Sequence, residues 1–398
     1  MGDPFPVQIN VQPALTQTVF ASITDPVALK WSGTNLYVLS GSGAAITKFN
    51  TNGSTVCTLS GLGVNPTGFD VDSAGNIFVA ITSSNQIWKF IPTNSSYIAD
   101  ASFGLGGFIG DAGGSAGANT NQFNAPFDVA VSPDGGTISI SDSGNNRIQQ
   151  FDTSGNYLDS FGTNGTDAGQ FNMPKGLAYD SVGMLYIIDS ENSRITLAQD
   201  AFVEEVTGTN GTALGQFSGP INISSDERGV YVADTGNNRI QCFSPPVPHS
   251  LFNIGSSSIR FAVSTNLNQP AAVAAVDSLT NETFYVADTG NNRIVLYSIA
   301  TDNPTPVWTS MTSHVVSGDM NGALSYFSIA SVDQYRQAFF SVGKANAISA
   351  MNQVGALIPV YVNADRAEYY FTNTVDGQTI GFPVEFDKEN GVWKILEY

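Results

Sequence analysis

The chain has 398 residues, 15 of them Lys or Arg against 34 Asp or Glu, for a formal charge of −19 at pH 7. Holding a phosphate backbone needs clustered cations, so this balance excludes a nucleic-acid partner. Hydrophobic residues make up 42% of the chain, but their runs are short and none approaches the ~20 residues of a membrane-spanning helix.

No signal peptide is expected in the opening MGDPF, which has neither a basic leader nor an apolar core. Low Lys content with abundant Thr, Asn and Gly predicts a bacterial extracytoplasmic protein (periplasmic, cell-surface or secreted) whose leader has been removed. A strand-like stretch runs from Leu15 to Ile23. Pro26 then opens a unit with apolar runs at Leu36–Leu39 and Ile46–Phe49, and Pro66 opens another with Ile77–Ala80 and Ile87–Phe90. Short apolar runs punctuated by Gly, Asn and Asp read as hairpin-joined strands. The glycine-dense segment Asp100 to Gln122 has no phosphate-loop Lys-Ser/Thr and is expected to be a flexible surface loop.

Four stronger units follow: Pro126 to Phe151, Pro174 to Leu197, Pro220 to Phe243 and Pro270 to Tyr297. ADTGNNRI occurs at 233–240 and 287–294, SDSGNNRI at 141–148 and IDSENSRI at 188–195. Self-similarity at such a period marks a solenoid or propeller. Each unit leaves room for a fourth strand, as at Tyr157 to Phe161. Six four-stranded sheets match a propeller, in which radial repetition protects strand edges. The sixth unit runs into Asp302–Pro306 without an obvious fourth strand, so Leu15–Ile23 is expected to supply it and close the ring.

Within each strong unit an Asp and an Arg flank four loop residues: Asp142 and Arg147, Asp189 and Arg194, Asp234 and Arg239, Asp288 and Arg293. A hairpin would set them opposite one another for bidentate pairing. The weak units hold Ser40 with Ala45 and Ile81 with Gln86. Both charges are present or both absent, as expected if each ion needs its partner. A catalytic group is needed once, so eight recurring charges read as structural clamps. Gly144, Gly236 and Gly290 are expected to supply positive φ in the turn.

The pattern P-x-x-[VLI]-A, a strand, D-[ST]-x-N-x-R-I and the linker FGTNGTDAGQFNMP (161–174) resembles the NHL repeat over residues 14–300. The resemblance implies an all-β six-bladed propeller across residues 1–304. It further implies that the residues after the repeat prolines, Val27, Thr67, Phe127, Lys175, Ile221 and Ala271, line a partner-binding face. The next residues, Ala28, Gly68, Asp128, Gly176, Asn222 and Ala272, are placed near the channel mouth. Asp128 and Asn222 join the candidate binding set. The face is mostly apolar, with one cation and one large aromatic, and suits a protein, peptide or glycan ligand.

Six-bladed relatives that are enzymes use calcium, zinc or histidine. A zinc or histidine site is excluded because His249 is the one histidine of the propeller. Calcium needs only oxygen ligands, but one Asp and one Asn do not make a cage. No catalytic residue, metal site or cofactor is therefore assigned. A calcium-dependent hydrolase or lyase at the channel mouth is the alternative. Cys57 and Cys242 lie two blades apart and are read as small apolar fillers.

The texture changes after residue 304. Trp308, Met311 and Val315, then Met320, Ala323, Leu324 and Phe327, recur at helical spacing. Ser331–Gln334 reads as a capping box, and another helix is expected near Ala345–Val354. Strand-like runs at 356–362, 367–375, 379–386 and 392–398 complete an α+β domain over 305–398. The closing Glu385-Phe386-Asp387 and Gly391-x-Trp393-Lys394-Ile395 resemble the last hairpin of nuclear transport factor 2-like and SnoaL-like cone folds. Those folds bind ligands, carry active sites or dimerise. A catalytic cone would draw on Asp319, Asp333, Tyr326, Tyr335, Tyr361, Tyr369 or Tyr370. His314 is expected at the boundary of its helix.

Overall fold

The computed structural model describes residues 15–199, 202–226, 229–243, 259–276, 282–299, 305–317, 319–327, 358–362, 366–375, 378–389 and 392–397. The chain divides into two compact units, one extending to Ser298 and the other containing Ile299–Tyr398.

Among the described residues, six antiparallel sheets form the blades of the first unit, with short parallel pairs at Thr163–Asn164/Gln170–Phe171 and Thr209–Asn210/Gln216–Phe217. Blade one comprises Pro26–Ser32, Asn35–Ser40, Ala45–Asn50 and Thr55–Ser60. Blade three comprises Pro126–Val131, Thr137–Asp142, Arg147–Asp152 and Tyr157–Phe161. Blade four repeats it with Pro174–Tyr179, Leu185–Asp189, Arg194–Gln199 and Phe202–Thr207. Blade five starts at Asn222 and ends with Ile259–Val263. In blade six, Pro270–Val276, Glu282–Asp288 and Arg293–Ile299 are joined on the outside by Leu15–Ser22. Each innermost strand touches the next, and the sixth touches the first, so the ring is closed. The apolar residues that face between blades, such as Ile187, Ile188, Val230 and Val232, are wholly buried.

Blade two departs from the pattern. Its third strand, Gln86–Pro92, is flanked by two short pieces: Phe108–Gly110 pairs with its start and Tyr97–Ala99 with its end. The expected loose loop at 100–122 is thus part of the blade. Phe103 and Ile109 are buried, as is Phe123 just beyond, and they pack with Phe78 and Phe151. Three well-spaced apolar anchors tie down the glycine-dense segment.

The blades are stitched by a recurring set of bonds near the repeat prolines. The residue before each proline (Asp25, Asn65, Ala125, Met173, Gly219, Gln269) has φ between 48° and 59°. Four of these residues donate their N–H to an Asn side chain of the preceding blade: Asp25 to Asn292, Ala125 to Asn85, Met173 to Asn146 and Gln269 to Asn238, at 2.7–2.9 Å. The hydroxyls of Thr82, Ser143, Thr235 and Thr289 donate to the carbonyls of Pro126, Pro174, Pro270 and Pro26. The last of these bonds joins blade six to blade one.

In the second unit, α1 (Thr305–Ser317) buries Trp308, Met311 and Val315. The short α2 (Met320–Leu324) follows, and four strands, Ile358–Val362, Arg366–Val375, Gln378–Glu389 and Val392–Glu397, form one antiparallel sheet in chain order. The backbone N–H of Ile395 donates to the Tyr326 carbonyl at 2.8 Å, tying the helical segment to the last strand. Half-exposed His314 lies 3.0 Å from Asp319. The expected capping box and the Ala345–Val354 helix fall outside the described residues, as do the side chains of Asp333, Tyr335, Tyr361, Tyr369 and Tyr370 and the whole of His249.

Candidate functional site

Four buried Asp–Arg pairs form a clamp layer, one in each strong unit. In every strong unit Arg Nε donates to Asp Oδ2 at 2.6–2.7 Å, and all four Asp side chains are wholly buried. The pairing uses one guanidinium nitrogen, not the bidentate fork expected from the hairpin. The Nη groups turn instead to linker carbonyls, as Arg239 does to Thr212, Ala213 and Gln216. The other Asp oxygen accepts a backbone N–H from just before the innermost strand: Asn124, Asn172, Ser218 and Asn268 at 2.6–2.8 Å. The carboxylate thus joins hairpin to strand, and the guanidinium joins hairpin to linker.

The turn glycines need correction. Gly144, Gly236 and Gly290 have no positive φ; that conformation falls on Asn146, Ser193, Asn238 and Asn292 at φ 52–55°. The glycines are required by close approach, since a Cβ on Gly236 would lie 2.5 Å from the Ser218 carbonyl oxygen. Blade four carries Glu191 here, and its N–H bond to the preceding segment is longer (3.1 Å to Asn172 against 2.8 Å for Gly144 to Asn124).

At the proline end of the innermost strands, Val27, Thr67, Phe127, Lys175 and Ile221 are half-exposed, while Ala271 is buried. The structure brings two of them together: Lys175 Nζ sits 5.7 Å from the Phe127 ring centroid. An ammonium at this range gains roughly 0.5–1 kcal/mol or more from the ring face. Burial pulls the Lys175 pKa down, and the nearby Glu191 carboxylate opposes that shift. Thr67 ties down the Phe127 backbone: its hydroxyl donates to the Phe127 carbonyl at 2.7 Å and lies 2.6 Å from the Thr82 hydroxyl. In blade four, the Ser190 hydroxyl is buried with no hydrogen-bond partner among the described residues. Elsewhere this position reaches the next blade's proline carbonyl, but blade five begins two residues later, at Asn222.

Asp128 and Asn222, expected in the binding set, tie neighbouring blades together. Asp128 Oδ2 accepts the Leu177 N–H at 3.0 Å, and Asn222 Oδ1 accepts the Val273 N–H at 3.0 Å. Asp70 makes the same kind of bond to Val131 N–H at 2.8 Å and pairs with Lys30 at 2.6 Å. Strand alternation sets the positions two and four past each proline on one face, which explains why Lys30, Asp70, Asp128 and Asn222 share a layer. Burial, aided by the Asp70 charge, pushes Asp128 up to about 8 against the pull of its backbone hydrogen bonds. Lys30 and Asp70 escaped the sequence reading. The signal was a lone charge in each of two otherwise apolar strands, Pro26–Ser32 and Pro66–Val71.

An NHL repeat model matches residues 217–243. Peptidyl-glycine alpha-amidating monooxygenase of Mus musculus is 32% identical over 136 residues, 33% of this chain, and the Rattus norvegicus protein is 32% identical over 138 residues. The chain spans only 13% of the length of either relative. Among solved structures, a virginiamycin B lyase from Staphylococcus aureus aligns with TM-score 0.47 at 15% identity, covering 71% of this chain and 98% of that one. Hydrazine synthase of Kuenenia stuttgartiensis aligns with TM-score 0.48 at 14% identity, covering 69% and 96%. The protein carries an NHL repeat within a six-bladed β-propeller.

Proposed function

We propose that the protein is a non-catalytic, extracytoplasmic binding or scaffold protein whose proline-end face takes a segment of a protein, a peptide or a glycan. The observation that carries this reading is the Phe127–Lys175 pair, the place where the ring of equivalent positions stops repeating. A flat ring, its backbone held by Thr67, and a partly desolvated ammonium suit a ligand with an aromatic or carboxylate group. The clamp charges are committed to the fold and leave this face with few competing ions. Acidic surface and low Lys content support the extracytoplasmic assignment.

The second unit, residues 305–398, fits a nuclear transport factor 2-like cone that serves ligand binding or self-association. Its helices followed by a four-stranded antiparallel sheet support that reading. A second functional reading, a calcium-dependent hydrolase or lyase at the channel mouth, draws support from the local likeness to amidating monooxygenases.

A displayed random-peptide library, selected on the full chain, tests the main proposal. Peptides enriched by the native protein should bind the double variant Phe127→Ala/Lys175→Ala about tenfold or more weakly, a change of about 1.4 kcal/mol. Equal binding removes this face as the site. Calcium-dependent turnover in the native protein would favour the enzyme reading.

A further inference from the structure

On the side of the ring away from the repeat prolines, blades three and four part around a cleft of about 520 Å³. Its walls are the hairpin Ser132–Thr137, the hairpin Ser181–Gly183, and Gln150, Phe161, Tyr179 and Leu185. The volume lies within the roughly 300–1,000 Å³ of small-molecule sites. We propose that this cleft binds an uncharged, polyhydroxylated ligand: a sugar ring or a short neutral oligosaccharide.

The polar wall is pre-organised. The buried Ser139 hydroxyl lies 2.7 Å from the Tyr179 hydroxyl, and the Gln150 amide donates to both, at 3.2 and 3.4 Å. Ser139 and Gln150 belong to blade three and Tyr179 to blade four, so the bonds span the cleft's floor. Asp134 is likewise fixed, accepting from the Ser132 hydroxyl at 2.5 Å and the Gly136 N–H at 3.0 Å.

The chemistry narrows the ligand class. Among the described residues no Lys, Arg or His lines the cleft, and a chain of charge −19 repels phosphates and carboxylates. A divalent cation asks for several oxygen ligands, and Asp134 is the single carboxylate among the described lining residues. A wholly apolar ligand would desolvate the amide, hydroxyl and carboxylate groups without pairing them. A sugar meets both kinds of wall: its C–H face can pack on Phe161 and Tyr179, while its hydroxyls pair with Gln150 and Asp134.

This site is independent of the proline-end face, which permits a clean test. The full chain is screened on an array of defined neutral and charged oligosaccharides, and retained glycans are titrated by calorimetry. Neutral glycans should be retained, with affinity reduced about tenfold or more by Gln150→Ala and by Val182→Trp. Val182 lines the cleft and is 71% exposed, so the bulky substitution blocks the cleft without touching the core. Val19→Ala, at an exposed position on the outer strand of blade six, should leave glycan affinity unchanged. The proposal is overturned if no neutral glycan is retained, if only charged glycans bind, or if Val182→Trp binds as the native protein does. Loss of glycan binding in Val19→Ala would place the effect outside the cleft and overturn it equally.

Discussion

Blades three to six close their hairpins with a buried ion pair, whereas blades one and two close theirs without one. In blade two, Gln86 stands where the arginine stands elsewhere, and its amide donates to the Asp111 carbonyl at 2.8 Å, much as Arg147 does to Gln122. In blade one, the Ser40 hydroxyl donates to the Thr24 carbonyl at 2.8 Å and accepts the Gly43 N–H. Both solutions satisfy backbone groups of the linker, which a buried loop cannot leave unpaired. The fold therefore requires hydrogen bonds at this position, and charge is one way of supplying them. Once an ion is used, its partner becomes obligatory, because a lone buried charge is far costlier than a lone amide.

The comparison breaks first at the charged blades. Asp234→Ala leaves Arg239 without its counter-ion and strands the Ser218 N–H and the Asn237 and Gln241 amides. A loss of about 3–5 kcal/mol is expected, read from denaturant melts.

The pH dependence comes next. Asp128 keeps a proton in the folded state up to about pH 8, while the unfolded chain releases it near the ordinary carboxylate value of 3.8. Its contribution is therefore complete below pH ~4 and declines as pH rises toward ~8, by at most about 1.4 kcal/mol per pH unit. Asp128→Asn should flatten melting temperature against pH across that window. A slope identical to the native one would assign the titration elsewhere.

The smallest effect belongs to a blade without the ion pair. Ser40→Ala should cost about 1 kcal/mol, the worth of an ordinary hydrogen bond, and should be indifferent to salt. A loss matching that of Asp234→Ala would erase the distinction between the two kinds of blade.

Much of this was legible beforehand because repetition amplifies weak signals. The Asp–Arg spacing was visible four times over, and the position after each proline singled out Phe127 and Lys175 as the exceptions. What escaped lacked that amplification. Lys30 and Asp70 meet only when blades one and two are adjacent in space. The anchors Phe103, Ile109 and Phe123 are spaced irregularly among glycines, so composition spoke louder than pattern. The role of Gly236 depends on how near the Ser218 carbonyl comes, which no turn rule encodes. The cleft between blades three and four is assembled from two hairpins about fifty residues apart, and neither is unusual alone.

A double-mutant cycle at Asp234 and Arg239 tests most directly whether the recurring charges serve the fold as obligatory pairs. The double alanine variant should cost less than the two single variants added together, by at least about 2 kcal/mol. Costs that simply add, within about 0.5 kcal/mol, would show that the two ions act independently and contradict the account.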